Sequence, residues 1–204
     1  THFPRAADDG RGTRAAGETL KLALALSGFP RVSTHASASA ALVNHGNLGF
    51  SHARPGIALY GADPVPRRKK LFSPVLSLKC RVLQVRTVPK NSWISYGRAY
   101  RTKKAARLAV LGLGYADGWR RILTNKGEAL IAGRRVPLIG TVCMDMVMAD
   151  ISSLRGTVEG ELATLIGKDG DQSILVEDLA KAAGTISYEI LTGIGRRVPR
   201  VAVP

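Results

Sequence analysis

The segment Ala62-Asp63-Pro64-Val65-Pro66-Arg67-Arg68-Lys69-Lys70 divides the chain into two parts with different sequence patterns. It is rich in proline and positive charge, as inter-domain linkers are, and we place the linker at residues 63–74. Before it, helical and strand patterns alternate: a helix over 13–27, a strand over 31–36, a helix over 37–45 and a strand over 56–60. Such alternation is typical of a parallel sheet or barrel, so residues 1–62 are predicted to be an α/β domain.

Beyond the linker, short strand patterns dominate, and residues 75–204 are predicted to form a mostly β domain. The apolar positions of 76–82 alternate and then change phase at Leu83, as they do at a β-bulge. Gly133 lies between two strand patterns, which predicts a hairpin, and Gly184 is placed to end a helix. The other predicted elements are strands over 129–131, 135–139, 142–149, 161–166 and 197–203, and a helix over 176–183.

The composition is that of a folded globular protein, since 45% of the 204 residues are hydrophobic and 22% are charged. The net charge of +15 would suit a nucleic-acid partner. However, the basic clusters lack the interleaved aromatic side chains of a base-stacking platform, and aromatic residues make up only 5% of the chain. Solvated basic loops are therefore the favoured interpretation, and no nucleic-acid partner is expected.

Further sequence features limit the cellular location of the protein and the kinds of site that it can hold. The sequence has neither a signal-peptide pattern nor a run of about 18 apolar residues, the length that spans a bilayer. Its two cysteines, Cys80 and Cys143, are too few for a disulfide framework, which favours a reducing cytoplasm. The four histidines lack metal-ligand spacing, so no metal site is expected. The chain opens on the strand-like Thr1-His2-Phe3-Pro4, and we expect it to be part of a longer protein.

Several short motifs place chemically capable side chains among small residues, which let a backbone or ligand approach closely. Ser39 begins a predicted helix, where its hydroxyl either caps the helix or holds a phosphate. Arg54 donates hydrogen bonds without accepting any, which suits either a surface residue or the acceptor nitrogen of a cofactor ring. Tyr96 is either a packed aromatic or a proton-transfer group. The motifs are His35-Ala36-Ser37-Ala38-Ser39-Ala40-Ala41, Arg54-Pro55-Gly56-Ile57-Ala58-Leu59-Tyr60-Gly61, Ser95-Tyr96-Gly97-Arg98-Ala99-Tyr100, Gly114-Tyr115-Ala116-Asp117-Gly118-Trp119 and Cys143-Met144-Asp145.

Together with Tyr188, these motifs resemble the C-terminal half of the alanine racemases, a family that uses pyridoxal 5'-phosphate. The resemblance implies the later strands of a (β/α)8 barrel over residues 1–62. It also implies that residues 75–204 reach the active site of the partner subunit in a head-to-tail homodimer. The implied reaction interconverts L-alanine and D-alanine by two-base proton transfer on the cofactor, and supplies D-alanine for peptidoglycan.

The resemblance assigns cofactor contacts to six residues. Arg54 faces the pyridine nitrogen and His35 orients Arg54. An unprotonated ring nitrogen is a weaker electron sink, which limits transamination as a side reaction. The residues matched to the cofactor phosphate are Ser39, Gly56, Ile57 and Tyr188.

Catalytic and substrate-binding roles fall on the second domain. Tyr96 matches the tyrosine that exchanges the α-proton on one face of the cofactor. Tyr115 and Met144 match substrate-binding positions, the first at the route by which substrate enters and the second through its backbone at the substrate carboxylate. Asp117 and Asp145, in the same motifs, are interpreted as structural turn residues.

Two departures from the family pattern are visible. None of the ten lysines stands in a context like Val-Lys-Ala-Asn-Ala-Tyr-Gly, the family motif that carries the cofactor lysine, so the chain alone is expected to be inactive. Ala38 stands where the family usually has asparagine. Two alternatives stay open: a serine or broad-specificity amino-acid racemase, and a non-catalytic module that only binds a partner chain.

Overall fold

The computed structural model describes residues 2–8, 10–29, 32–65 and 71–203. The chain forms two compact units, Thr1–Val75 and Leu76–Pro204. The predicted linker at 63–74 falls in part on residues 66–70, which lie outside the described residues.

The first unit alternates helices and strands. In chain order it contains α1 (Gly10–Leu26), β1 (His35–Ala38), α2 (Ser39–His45), β2 (His52–Arg54) and a 3₁₀ helix (Ile57–Tyr60). β1 and β2 pair in parallel, with His35 opposite His52 and Ala38 opposite Arg54. A small core of Phe3, Ala6, Ala36, Ala41 and Phe50 lies beneath them. This is the βα arrangement expected of barrel strands.

The prediction of a strand over 56–60 is wrong, because Ile57–Tyr60 forms a 3₁₀ helix. Gly56 precedes that helix with φ −122° and ψ −88°, which is not a strand conformation. Gly61 ends the helix at φ 75°, in the left-handed region that glycine adopts readily. The strand predicted over 31–36 begins later, at His35, and the helix predicted over 37–45 begins at Ser39. Residue 31 lies outside the described residues.

The second unit contains most of the strands. In chain order its elements are β3 (Leu78–Val88), β4 (Trp93–Ile94), a 3₁₀ turn (Tyr96–Arg98), β5 (Tyr100–Arg101), β6 (Ala106–Leu111), 3₁₀ turns (Tyr115–Asp117 and Arg121–Leu123), β7 (Glu128–Ile131), β8 (Arg134–Ile139), β9 (Val147–Asp150), β10 (Leu162–Asp169), β11 (Gln172–Ile174), α3 (Val176–Ala183) and α4 (Ser187–Gly193). One sheet has the order β11-β10-β3-β6-β9-β8-β7, and β7 also pairs with β10. Six antiparallel strands therefore close on themselves as a barrel.

Leu108, Leu111, Leu130, Ile131 and Leu165 on the barrel strands are fully buried. Successive side chains of a strand point to opposite faces, so Leu130 and Ile131 lie on opposite sides of the barrel wall and both sides are covered there. Each such side chain contributes roughly 1.5–3 kcal/mol by leaving water. Several predictions of this unit are confirmed. The register shifts between Val82 and Gln84, where a bulge was expected; β7 and β8 form the hairpin around Gly133; and α3 ends at the left-handed Gly184.

One strand prediction in this unit is wrong, and another is confirmed only for the end of its range. The segment predicted as a strand over 142–149 contributes only Val147 onward to β9, because Cys143 N–H donates to the Met146 carbonyl and closes a turn before the strand. Residues 197–203, all of which the structure describes, form no strand. Arg200 donates instead to the carbonyls of Gly195, Val198 and Ile194, which folds the segment back on itself. Helix α4, which carries Tyr188, was not predicted.

Candidate functional site

Five predicted site residues of the first unit lie on or just after its two parallel strands. His35 begins β1 and Arg54 ends β2, while Ser39 follows β1 and Gly56 and Ile57 follow β2. The carboxyl ends of parallel strands meet at one edge of a sheet, and ligands of α/β folds bind at this edge. The local topology therefore places Arg54, Ser39, Gly56 and Ile57 at this edge, whereas His35 lies at the amino end of β1.

Ser39 does not cap helix α2, so one of its two interpretations is excluded. The capping position is Ala38, which makes no side-chain cap bond. Ser39 is 1% exposed, and its Oγ accepts hydrogen bonds from Gly56 N at 2.9 Å and Ala58 N at 3.3 Å. A serine hydroxyl that accepts two hydrogen bonds still carries its own hydrogen as a donor. This arrangement suits an anionic oxygen placed beside the hydroxyl.

Arg54 and His35 are in direct contact. Arg54 Nη1 lies 2.7 Å from His35 Nδ1 and 2.8 Å from the His35 carbonyl oxygen. A guanidinium can only donate, so Nδ1 of His35 is the acceptor in this pair. The contact fixes the direction of the Arg54 side chain, and the role of both residues at a cofactor ring stays a prediction.

The backbone near Gly56 is open. A Cβ built on Gly56 would meet no atom of the described residues within 4 Å, whereas the Ile57 side chain is buried. Glycine thus leaves room for a group to approach the chain beside Ser39. Ser39, Gly56 and Ile57 together fit the phosphate of a cofactor by their chemistry: Ser39 offers its hydroxyl hydrogen, Ile57 its backbone amide, and Gly56, whose own amide donates to Ser39, offers space.

In the second unit, three predicted residues line one cavity. The cavity has a volume of about 440 Å³, and its walls are Tyr96, Tyr115, Arg121 and the loop 141–146, which includes Met144. Tyr96, Tyr115 and Met144 are 74%, 43% and 52% exposed, so their side chains are available to a ligand. The sequence motifs that contain these residues are far apart in the chain and meet only in the fold.

The loop of Tyr96 is held in an unusual backbone conformation. Ser95 has a φ of 63°, which is costly for a residue with a side chain, and Gly97 has a φ of 67°. Two hydrogen bonds to Thr141 compensate: Ser95 Oγ donates to the Thr141 carbonyl at 2.7 Å, and Thr141 Oγ1 donates to the Tyr96 carbonyl at 2.7 Å. These bonds hold Tyr96 at the cavity.

The segments that carry Tyr115 and Met144 are joined through their backbones. Tyr115 N–H donates to the Cys143 carbonyl at 3.0 Å, and Ala116 N–H donates to the Met144 carbonyl at 3.0 Å. A side chain on Gly114 would collide with both carbonyl oxygens. Glycine at this position is therefore a requirement of the contact between the two segments.

Sequence reasoning assigned no role to three residues that line the cavity. Arg121 brings a positive charge, Thr141 holds the Tyr96 loop, and Cys143 places its thiol 3.2 Å from Ser95 Oγ. The neighbouring basic pair Arg120-Arg121 gave no sign of which guanidinium faces the cavity. Which of the two arginines faces the cavity depends on the 3₁₀ turn at Arg121–Leu123, and residue propensities do not predict this turn.

Tyr188 lies in helix α4 of the second unit, whereas the other residues predicted to bind phosphate belong to the first. It is 46% exposed. Partial burial raises the pKa of its phenol above the ordinary value, so the hydroxyl stays a donor at neutral pH.

Elsewhere in the second unit, burial first and the nearby Asp117 carboxylate second raise the pKa of Cys80 to about 12. Its thiol is therefore kept neutral and is not a nucleophile.

Among the described residues, no group of three or more His, Cys, Asp or Glu side chains could hold a metal ion. Within the same residues, no helix has the length and apolarity needed to cross a membrane.

Comparisons with known proteins agree with this geometry. Two family descriptions match: "Alanine racemase, N-terminal domain" over residues 1–64 and "Alanine racemase, C-terminal domain" over residues 75–202. The alanine racemase of Methanococcus maripaludis is 43% identical over 170 residues, which cover 82% of this chain and 45% of that protein. The alanine racemase of Methylacidiphilum infernorum is 39% identical, covering 98% of this chain and 51% of that protein.

Solved structures give the same relationship. The crystal structure of alanine racemase from E. faecalis matches with a TM-score of 0.90 and 30% identity, over 98% of this chain and 54% of that one. The alanine racemase of Bartonella henselae, solved with covalently bound pyridoxal phosphate, matches with a TM-score of 0.88 and 29% identity, over 99% of this chain and 55% of that one. This chain thus spans about half the length of the relatives that it matches.

Proposed function

The chain belongs to the alanine racemase family, and from this premise we propose that it serves in the interconversion of L-alanine and D-alanine with pyridoxal 5'-phosphate as cofactor. The observation that carries the proposal is the cavity of about 440 Å³ that gathers Tyr96, Tyr115 and Met144. These residues come from three distant motifs, and each offers what an amino-acid site needs. Tyr96 and Tyr115 offer phenols, and Met144 offers a peptide backbone beside an apolar side chain.

The first unit would supply five of the six proposed cofactor contacts, and Tyr188 of the second unit would supply the sixth. Ser39 and the backbone at Gly56 and Ile57 would hold the phosphate, with the Tyr188 hydroxyl as a further donor. Arg54 would face the ring nitrogen, and its 2.7 Å contact with His35 supports this role because it fixes the direction of the guanidinium.

Pyridoxal phosphate, when bound, withdraws electrons from the α-carbon of the substrate and so acidifies its α-proton. Racemisation then needs one group on each side of that carbon, since the proton leaves from one face and returns on the other. Tyr96 would hold or move the proton at its Oη on one face. Because Arg54 donates and does not accept, it would keep a proton off the ring nitrogen and limit side reactions.

The cavity would also select the substrate. The Arg121 guanidinium carries the positive charge that a carboxylate requires, and the Met144 backbone would contact that carboxylate. Tyr115 would lie on the substrate's way in.

We extend the proposal to the organisation of the protein. Residues 1–62 would be the later part of a (β/α)8 barrel, 63–74 the linker, and 75–204 a β domain that completes the partner subunit's active site in a head-to-tail homodimer. D-alanine for peptidoglycan would be its product. The two cysteines without disulfide partners are consistent with a reducing cytoplasm.

A chimaera tests this function, because the chain spans about half of its relatives. The part of the Methylacidiphilum infernorum racemase that precedes its matched segment is joined ahead of residue 1. We expect the product to convert L-alanine to D-alanine when pyridoxal phosphate is present, and its Tyr96→Phe variant to lose most of this activity. If the chimaera racemised serine in preference to alanine, serine would replace alanine as the proposed substrate. A folded chimaera that holds the cofactor but racemises neither would overturn the function.

A further inference from the structure

Two acidic side chains stand beside the substrate-binding residues of the second unit. Asp117 follows Tyr115 by two positions, and Asp145 follows Met144 directly. We call residues 114–118 the Tyr115 loop and residues 143–146 the Met144 loop. One cation contacts both carboxylates: Arg197 places Nε 3.4 Å from Asp117 Oδ1 and Nη2 2.7 Å from Asp145 Oδ1.

The three charged groups differ in exposure. The Asp117 side chain is 13% exposed, while those of Asp145 and Arg197 are 51% and 54% exposed. Asp117 also accepts a hydrogen bond from Gly114 N at 2.9 Å through Oδ2, so its position is fixed within its own loop. Two carboxylates near one another repel unless a cation lies between them. Arg197 supplies that cation at the junction of the two loops.

Backbone contacts hold Arg197 in place. Gly195 N–H donates to the Asp117 carbonyl at 2.9 Å. A Cβ on Gly118 would lie 2.7 Å from Ile194 Cα, so the chain before Arg197 packs tightly on the Tyr115 loop. Farther back, Glu189 of α4 pairs with Arg120 at 2.8 Å. The segment from α4 to Arg197 therefore contacts the Tyr115 loop and the adjoining Arg120 at several points.

From these contacts we infer that Arg197 is a positioning residue, which holds the Tyr115 and Met144 loops in register so that both can meet one substrate. This role rests on the proposed function only for its catalytic consequence. The structural consequence, that the two loops open together when Arg197 is lost, is independent of any activity.

The structural consequence is tested by amide hydrogen exchange on residues 1–204. The Tyr115 and Ala116 amides are bonded to the Met144 loop, so loosening of the junction exposes them. In Arg197→Gln we expect exchange of peptides covering 114–118 and 143–146 to quicken about fivefold, the scale of a partly exposed ion-pair network. Arg196→Gln removes the same charge one residue away and is expected to leave these peptides unchanged.

A charge-specific role also predicts rescue. Adding Asp145→Asn to Arg197→Gln removes one of the two uncompensated carboxylates, so exchange in the loops is expected to slow again. Unchanged exchange in Arg197→Gln would overturn the inference. So would acceleration spread equally over β3 (Leu78–Val88), or a double variant no slower than the single one, because either result would make Arg197 a packing residue only.

The catalytic consequence is tested by measuring kcat and KM for alanine in the active chimaera. Arg197→Gln is expected to raise KM for alanine about fivefold while kcat changes less than about twofold, because the substrate-binding loops are affected more than the proton-transfer groups. A fall in kcat with unchanged KM would contradict the positioning role. If the parent chimaera racemised nothing, the proposed function would fail, and the exchange result would still decide the role of Arg197 in the loops.

Discussion

Arg54 and His35 are 19 residues apart in the chain, and the fold places Arg54 Nη1 2.7 Å from His35 Nδ1. The parallel pairing of β1 and β2 brings them together, since Ala38 lies opposite Arg54 and His35 opposite His52. A second bond, from Nη1 to the His35 carbonyl at 2.8 Å, fixes the guanidinium further. These two contacts set the direction of the Arg54 side chain.

The first prediction concerns the charge of Arg54. Arg54→Glu in the active chimaera replaces a donor by a group that can share a proton with the ring nitrogen. We expect racemisation to fall and pyruvate, the product of transamination, to accumulate in its place. Arg14→Glu, an exposed position in α1, serves as the charge-matched control. Equal racemisation without pyruvate would mean that Arg54 does not face the ring.

A second prediction concerns cofactor anchoring. Ser39→Ala leaves the Gly56 and Ala58 amides without their acceptor, at a cost of about 1–3 kcal/mol, and Tyr188→Phe removes the hydroxyl that would donate to the phosphate. We expect the double variant of the chimaera to release pyridoxal phosphate during dialysis that the parent withstands. The exposed Ser33→Ala is the control. If the double variant retained pyridoxal phosphate as well as the parent does, neither Ser39 nor Tyr188 would bind the cofactor.

The third prediction separates the two faces of the substrate. Tyr96→Phe removes the only proton-transfer atom of this side chain, so one face should stop exchanging while the other continues. We expect solvent deuterium to enter the α-position of one alanine enantiomer about a hundredfold faster than that of the other. Tyr100→Phe, a partly buried tyrosine in β5, controls for the loss of a phenol. Symmetric exchange in Tyr96→Phe would reduce Tyr96 to a packing role.

Local sequence signals predicted the parts of the fold that depend on near neighbours. The hairpin around Gly133, the bulge near Val82 and the end of α3 at Gly184 are each set by a few adjacent residues. The run at 56–60 was misread because its apolar side chains suggested a strand. Its conformation is decided by Gly56 and Gly61, and a side chain at Gly61 would collide with the Ser73 carbonyl, a contact that sequence does not reveal.

The site residues also fall into those that the sequence could predict and those that it could not. Tyr96, Tyr115 and Met144 were found because their motifs resemble a family, and the structure brings them to one cavity. Arg121 and Arg197 were not assigned roles, since their importance lies in distant contacts. Arg197 stands 80 residues after Asp117 and 52 after Asp145, so only the folded chain reveals the pairing.

A fourth prediction follows from Glu189. Its pKa lies below the ordinary value, first because Thr185 donates a hydrogen bond to it and then because of Arg120. The ionised Glu189 carboxylate therefore stabilises the folded chain. This contribution is fully present above the ordinary glutamate pKa of about 4.3, and it is lost as the pH falls through the lower pKa of Glu189 in the folded state.

We expect Glu189→Gln to melt at a lower temperature than the parent at neutral pH, and the difference to vanish in acid. Asp171→Asn, an exposed carboxylate in the β10–β11 turn, should show no such pH-dependent difference. A constant difference at all pH values would show that the charge of Glu189 contributes nothing to the stability of α4.

The last prediction concerns the chain without added sequence. None of its ten lysines has the family context of the cofactor lysine, and the described part of its first unit holds one two-stranded sheet, far from a closed barrel. Catalysis needs the reacting groups placed within about 3–3.5 Å of one another, which this arrangement does not provide. Residues 1–204 with pyridoxal phosphate should therefore give no borohydride-trapped lysine at a single position and no racemisation, whereas the chimaera should give both. Leu22, Leu26 and Phe29 are 61%, 78% and 72% exposed, so concentration-dependent association in sedimentation is also expected. Stoichiometric trapping at one of the ten lysines, with racemisation of alanine, would mean that this chain supplies its own cofactor lysine.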